Sequence, residues 1–192
     1  MFVTKQLLKP QIWWYGLCLV VFTIALLAGC GGGGGGGISG GTSGNSSGRV
    51  SFTATVTSPA GTRTFNANGV EVGLGVERIH VVGVVVGDIG ISLFFRRPSQ
   101  IPTTITLDPD AWLHSYEEAI VSFISTGENF TTRVGGSATI RITSLTDNRI
   151  AGTFQIRAKS PHTDTFVTAS GSFDVPKGTW SFINGQWVGG PQ

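Results

Sequence analysis

Asp108, Asp110, His114, Glu117 and Glu118 form the densest group of chemically capable side chains in this sequence. Carboxylates and an imidazole so spaced could hold a divalent cation, and two carboxylates in different surroundings could divide acid and base roles between them. The plainer expectation is structural. Asp108-Pro109-Asp110 is ordinary turn chemistry, and Glu117-Glu118 suits a solvated edge. His80 sits inside the oily run from Glu77 to Val86, and His162 follows Pro161; either could ligate a metal, yet a lone histidine on a strand is usually satisfied by a hydrogen bond. Trp112, Trp180 and Trp187, with His114, are the candidate ligand-binding residues, because aromatic platforms stack on sugars or peptides. The competing expectation is that the tryptophans close the ends of a core. Arg96-Arg97 beside Phe94-Phe95 could take an acidic group, or it blunts a strand end against aggregation.

Recognisable catalytic motifs are lacking. There is no Gly-x-Ser-x-Gly elbow and no His-Glu-x-x-His, and Gly73-Leu74-Gly75 lacks the third glycine and the helix of a dinucleotide fingerprint. No catalytic residue is assigned, no metal site is expected beyond the weak candidates Asp108, Asp110, His114 and Glu117, and no cofactor is expected. Nucleophile, base and orienting group can lie far apart in sequence, so an enzyme stays open as the alternative.

The elements that must position these residues are strands. Val50, Phe52, Ala54 and Val56 alternate with Ser51, Thr53, Thr55 and Thr57, the period of a half-buried strand, and Ser58-Pro59-Ala60-Gly61 breaks it. Phe65 to Leu74 predicts a weaker strand, Glu77 to Val86 a denser one, and Ile91 to Phe95 another, closed by Arg96-Arg97-Pro98. Ala138, Ile140 and Ile142 alternate in phase with Ile150, Gly152, Phe154 and Ile156 across a turn at Thr146-Asp147-Asn148, which predicts antiparallel pairing. Thr165 to Val175 supplies the next strand of a meander. At the end, Asn184-Gly185 predicts a two-residue hairpin loop in which Ile183 faces Gln186 and Phe182 faces Trp187. Only Asp110 to Ser125 departs from this grammar: a short helix or irregular turn over Ala111 to Ser115, capped by Asp110, leads into a strand over Ile120 to Ile124. The fold class expected is all-β, an antiparallel sandwich or partly closed barrel with meander or Greek-key connections.

The N-terminal part is organised differently. Met1 to Pro10 carries Lys5 and Lys9 with no acid, and Ile12 to Ala28 is almost wholly apolar, broken by Gly16 and Thr23. A positive start followed by an oily core is the layout of an export signal, although a run of this length is also within reach of a short membrane-crossing helix. The run ends in Leu27-Ala28-Gly29-Cys30. That ending resembles the lipobox of bacterial lipoprotein precursors. The resemblance implies that the Cys30 thiol takes a diacylglyceryl group, that the small neighbours admit the signal peptidase, and that Cys30 becomes the first mature residue. The other cysteine, Cys18, would leave with the leader, so no disulfide or cysteine-ligated metal is available to the mature domain. Two or more acyl chains hold firmly at a bilayer where one holds only marginally. Gly31, where an aspartate commonly signals inner-membrane retention in this family, implies the outer membrane if the source is Gram-negative.

From Gly31 to Gly37 every residue is glycine, and Ile38 to Gly48 continues in Gly, Ser, Thr and Asn. The run lacks the Lys-Ser/Thr pair and following helix of a phosphate loop. It reads as a spacer whose backbone entropy has little apolar burial to offset it, spanning on the order of 23 Å as a flexible coil. The division expected is a signal peptide at 1–29, the lipidated cysteine and tether at 30–48, and one β-domain at 49–192.

That domain has about 140 residues, enough for one core. The whole chain carries 13 Lys and Arg against 11 Asp and Glu; without Lys5 and Lys9 the charges balance at 11 against 11. A neutral domain gives no support for a nucleic-acid partner. Gly136 to Thr143, Ile150 to Phe154 and Gly171 to Phe173 resemble the closing strands of a group of bacterial lipoproteins of unassigned function. That resemblance implies a β-domain and no catalytic residues. The function expected is a lipid-anchored envelope protein, with a non-catalytic binding or structural β-domain that takes a protein or glycan ligand. The alternative is an envelope hydrolase or metal-dependent enzyme built on Asp108 to Glu118.

Overall fold

Alternation of β-branched or aromatic residues with Thr and Ser turns one face of nearly every strand toward an apolar interior. The computed structural model describes residues 50–85 and 87–190; the leader, Cys30 and the tether lie outside the described residues. In chain order the elements are β1 (Ser51–Ser58), β2 (Gly61–Asn66), β3 (Gly69–Leu74), β4 (Arg78–Val85), β5 (Ile89–Arg96), β6 (Thr103–Leu107), α1 (Pro109–Ser115), β7 (Glu118–Phe123), β8 (Glu128–Leu145), β9 (Arg149–Lys159), β10 (Phe166–Pro176), β11 (Gly178–Ile183) and β12 (Gln186–Gly190).

The strands form one antiparallel sheet in the order β12-β11-β3-β4-β5-β7-β8-β9-β10-β1-β2, with β6 beside β8. The fold is therefore all-β and antiparallel, as the alternation predicts, with its strands joined in a single sheet curved into a half-barrel. β3 to β5 and β7 to β10 are meanders, β7 pairs with β5 while β6 is displaced to β8, and β1 pairs with β10. The curvature brings β1 close to β4 where β2 runs on into β3. There the Ala67 N–H donates to Phe52 O of β1 and the Asn68 N–H to Val84 O of β4, at 2.8 and 2.9 Å. Phe65 to Leu74, predicted as one strand, is thus divided: its first part pairs with β1 and its last part with β4, because the chain changes partner at Ala67-Asn68.

The interior is filled by the inward residues of these strands. Phe52, Phe154 and Phe173 form an aromatic trio with ring centroids 5.6, 6.4 and 6.5 Å apart. They pack among Val56, Val81, Ile91, Leu93, Ile140, Ile142 and Val175, all buried. Gly83 of β4 lies against Phe52 so closely that a Cβ placed there would fall 2.3 Å from the ring. This approach lets β4 close on β1.

β8 has different neighbours along one edge. Its first residues pair with β7 through Thr131, and its later ones pair with β6 from Ala138 to Ile142. Between these stretches its register to β9 shifts from Thr131 to Gly136, and Gly135 and Gly136 take positive φ. α1 spans this gap. The Ala119 N–H at the start of β7 donates instead to the hydroxyl of the buried Thr132, which satisfies a donor that burial would otherwise strand.

Two expectations need correcting in detail. The helix is capped by Asp108, whose Oδ1 accepts from the Ala111 N–H at 2.9 Å, and Asp110 lies in the first turn. Pro109 explains the shift: proline suits the first helical turn, which moves the cap one residue upstream of it. β2 and β6 were not foreseen as separate strands. The two expected hairpins are present, with Ile140 opposite Phe154 and Phe182 opposite Trp187.

Candidate functional site

The sequence-predicted cluster is arranged by α1. Asp108 holds the cap. Asp110 is exposed in the first turn, and its carbonyl accepts from His114 Nδ1 at 2.9 Å, one turn along. Tyr116 ends the helix in the left-handed region at φ 55. Beyond it the carboxylates turn back onto the sheet: Glu117 Oε1 accepts from the Arg96 N–H, and Glu118 Oε2 accepts from Thr131 Oγ1 at 2.8 Å. Three of the acids are therefore committed to backbone or side-chain donors, rather than gathered around one point. Among the described residues no three His, Cys, Asp or Glu side chains come together as a metal-holding group.

What α1 does assemble is aromatic and cationic. Trp112 meets the edge of Tyr116 at 5.3 Å and 88°, Arg133 lies 4.8 Å from the Trp112 ring, and Arg78 lies 5.7 Å from the Tyr116 ring. Beside them is a depression of about 230 Å³ lined by Gly73, Arg78, His80, Phe94, Tyr116 and Glu117. His80 stacks on Phe94 at 4.7 Å and 8°, and burial lowers its pKa below 6.5 against an opposing pull from Glu71. His162 stands in an exposed turn, its N–H on Ser160 Oγ.

The other two tryptophans serve a different part of the sheet. Trp180 of β11 is buried opposite Val70 at the start of β3, and its Nε1 donates to Lys177 O. Trp187 of β12 is half-buried and packs on Phe182 at 5.4 Å. The depression lies at the far end of β3, so Trp112 and Glu117 share a neighbourhood that Trp180 and Trp187 do not enter. Of Arg96-Arg97, the Arg97 side chain is engaged: it donates to Gly75 O and pairs with Asp147 at 3.0 Å.

A second surface was not foreseen. Residues directly opposite on antiparallel strands share a face, and the registers of β2, β1, β10, β9, β8 and β6 align their outward residues in three rows. One row runs Thr62, Thr57, Thr168, Arg157, Ser137. The next runs Thr64, Thr55, Ser170, Gln155, Thr139, Thr106. The third runs Asn66, Thr53, Ser172, Thr153, Arg141, Thr104. Every member is a short hydroxyl, an amide or an arginine, and none is an acid. Hydroxyl pairs already link neighbours: Thr53 with Ser172 at 3.1 Å, Thr55 with Thr64 at 2.8 Å and Thr57 with Thr62 at 3.0 Å. In the middle the surface sinks into a groove of about 450 Å³ bordered by Thr55, Ser137, Thr139, Gln155, Thr168 and Ser170.

The signal was visible in pieces, as Thr-x-Thr-x-Thr at 53–57 and Thr-x-Thr at 104–106. What joins them is the pairing of β1 with β10, more than a hundred residues apart, which local pattern does not report. No family model matches the chain, and neither does any curated protein or solved structure.

Proposed function

We propose that this is a lipid-anchored protein of the cell envelope whose β-domain binds a ligand at its outer sheet surface and carries out no chemistry on it. The observation that carries the binding reading is the face of hydroxyls, amides and two arginines with its central groove. Short hydroxyl side chains lose little conformational entropy on meeting a partner, and they hydrogen-bond in many directions. The engagement of Asp108, Glu117 and Glu118 in the cap and in sheet contacts favours this reading over a hydrolase built on the same residues. The anchor rests on Leu27-Ala28-Gly29-Cys30 after a basic and then apolar leader. In a Gram-negative source, Gly31 after the cysteine favours the outer membrane.

Fractionation of expressing cells tests the anchor. The parent chain is expected in the membrane fraction, with an unprocessed precursor accumulating under globomycin. Cys30→Ala is expected to leave the acylated pool. A Cys30→Ala chain that fractionates and migrates like the parent, with no response to globomycin in either, contradicts the reading.

A further inference from the structure

We propose that the hydroxyl face is a binding site for an anionic polysaccharide, one whose sugar rings carry carboxylates. The inference deepens the surface-binding reading above and rests on it.

The charge on this face is of one sign: the three rows from β2 to β6 hold Arg141 and Arg157 and no acid. Among the described residues neither arginine has an ion-pair partner. Arg157 is held in place, its guanidinium 3.6 Å from the centre of the Phe166 ring at the rim of the groove. Arg141 stands opposite Thr153, four residues along β9 from Arg157. At the rise of an antiparallel strand this places their Cα atoms about 14 Å apart, with the hydroxyl groove beginning between them.

A partner matched to this arrangement is extended, rich in hydroxyls and negatively charged at intervals. An acidic glycan has all three properties. Its hydroxyls exchange hydrogen bonds with Thr139, Thr168, Ser170 and Gln155, and its carboxylates meet the two guanidiniums in charge-assisted bonds. A protein partner would more typically be met by a buried aromatic or aliphatic centre, which these rows lack.

The test uses the full-length chain in detergent and affinity electrophoresis through gels containing alginate, uncharged dextran or poly-glutamate. The expected result is strong retardation by alginate and weak retardation by dextran and poly-glutamate. Thr139→Val/Thr168→Val/Ser170→Ala removes hydroxyls while keeping strand-compatible side chains, and is expected to weaken alginate binding about tenfold or more. Arg141→Gln/Arg157→Gln is expected to abolish the preference for alginate over dextran. Circular dichroism of each variant confirms the fold. Absence of alginate binding by the parent overturns the proposal, as does equal retardation by poly-glutamate, equal retardation by dextran, or full binding by the hydroxyl-deleted variant. Because the gel reads the glycan whatever the state of the N-terminus, its failure is distinct from failure of the anchor, which the acyl group on Cys30 reports.

Discussion

Two residues show how tightly the half-barrel constrains individual side chains. His80 is stacked on Phe94, and burial depresses its pKa below 6.5 while Glu71 pulls the other way. The folded chain therefore takes up a proton on this ring less readily than the unfolded chain. The resulting stability is fully present above about pH 6.5 and declines as the pH falls toward the depressed folded value. His80→Phe keeps an aromatic ring against Phe94 and removes the titration. Urea unfolding at about pH 7.5 and about pH 5 should show a smaller acid-induced loss in this variant than in the parent, and equal losses would contradict the assignment. Gly83 makes a steric argument instead. A methyl group there meets the Phe52 ring at 2.3 Å, in the centre of the aromatic trio. Gly83→Ala is expected to cost about 1–3 kcal/mol in denaturant unfolding, the range for overpacking a filled core, and an unchanged midpoint would contradict the packing.

At the scale of elements, hairpins were legible in the sequence and lateral neighbours were not. The two-residue loop Asn184-Gly185, with φ of 51 and 80, fixes the register of β11 on β12, so Phe182 opposite Trp187 follows from counting. The β8–β9 pairing follows likewise from in-phase alternation between Ala138 and Ile156. β6 escaped because Thr103–Leu107 is short and lies between prolines, and its partner is the far half of β8. The division of β2 from β3 escaped because a change of partner leaves no local periodicity to read. The site was legible in the same uneven way: a chemically dense α1 neighbourhood could be found by spacing, whereas its use of Asp108 as a cap and Glu117 as an acceptor for Arg96 depends on tertiary placement. Asp108→Ala should lower stability by about 1 kcal/mol through loss of the cap. The check is thermal unfolding beside Asp110→Ala, which caps nothing and is expected to change little; the reverse order would contradict the cap.

For the whole molecule, closure depends on backbone. Arg63 of β2 reaches Asp88 in the β4–β5 turn at 2.8 Å, but the two side chains are 62% and 36% exposed. Exposed pairs contribute about 0–1 kcal/mol, whereas the Ala67 and Asn68 N–H groups join β1 and β4 through main-chain bonds. Asp88→Asn is accordingly expected to shift the unfolding free energy by less than about 1 kcal/mol, with a larger loss pointing to an ion-pair clasp. The pairing of β1 with β10 joins the rows of the hydroxyl face, opposite in character to the apolar interior of the same strands.

Intact mass spectrometry of the protein extracted from membranes tests the proposed anchorage most directly. The predicted result is a chain beginning at Cys30 whose excess mass is that of fatty acyl and glyceryl groups, localised to that residue by fragmentation. A chain that still carries its apolar leader, with no acyl mass on the Cys30 sulfur, would contradict it.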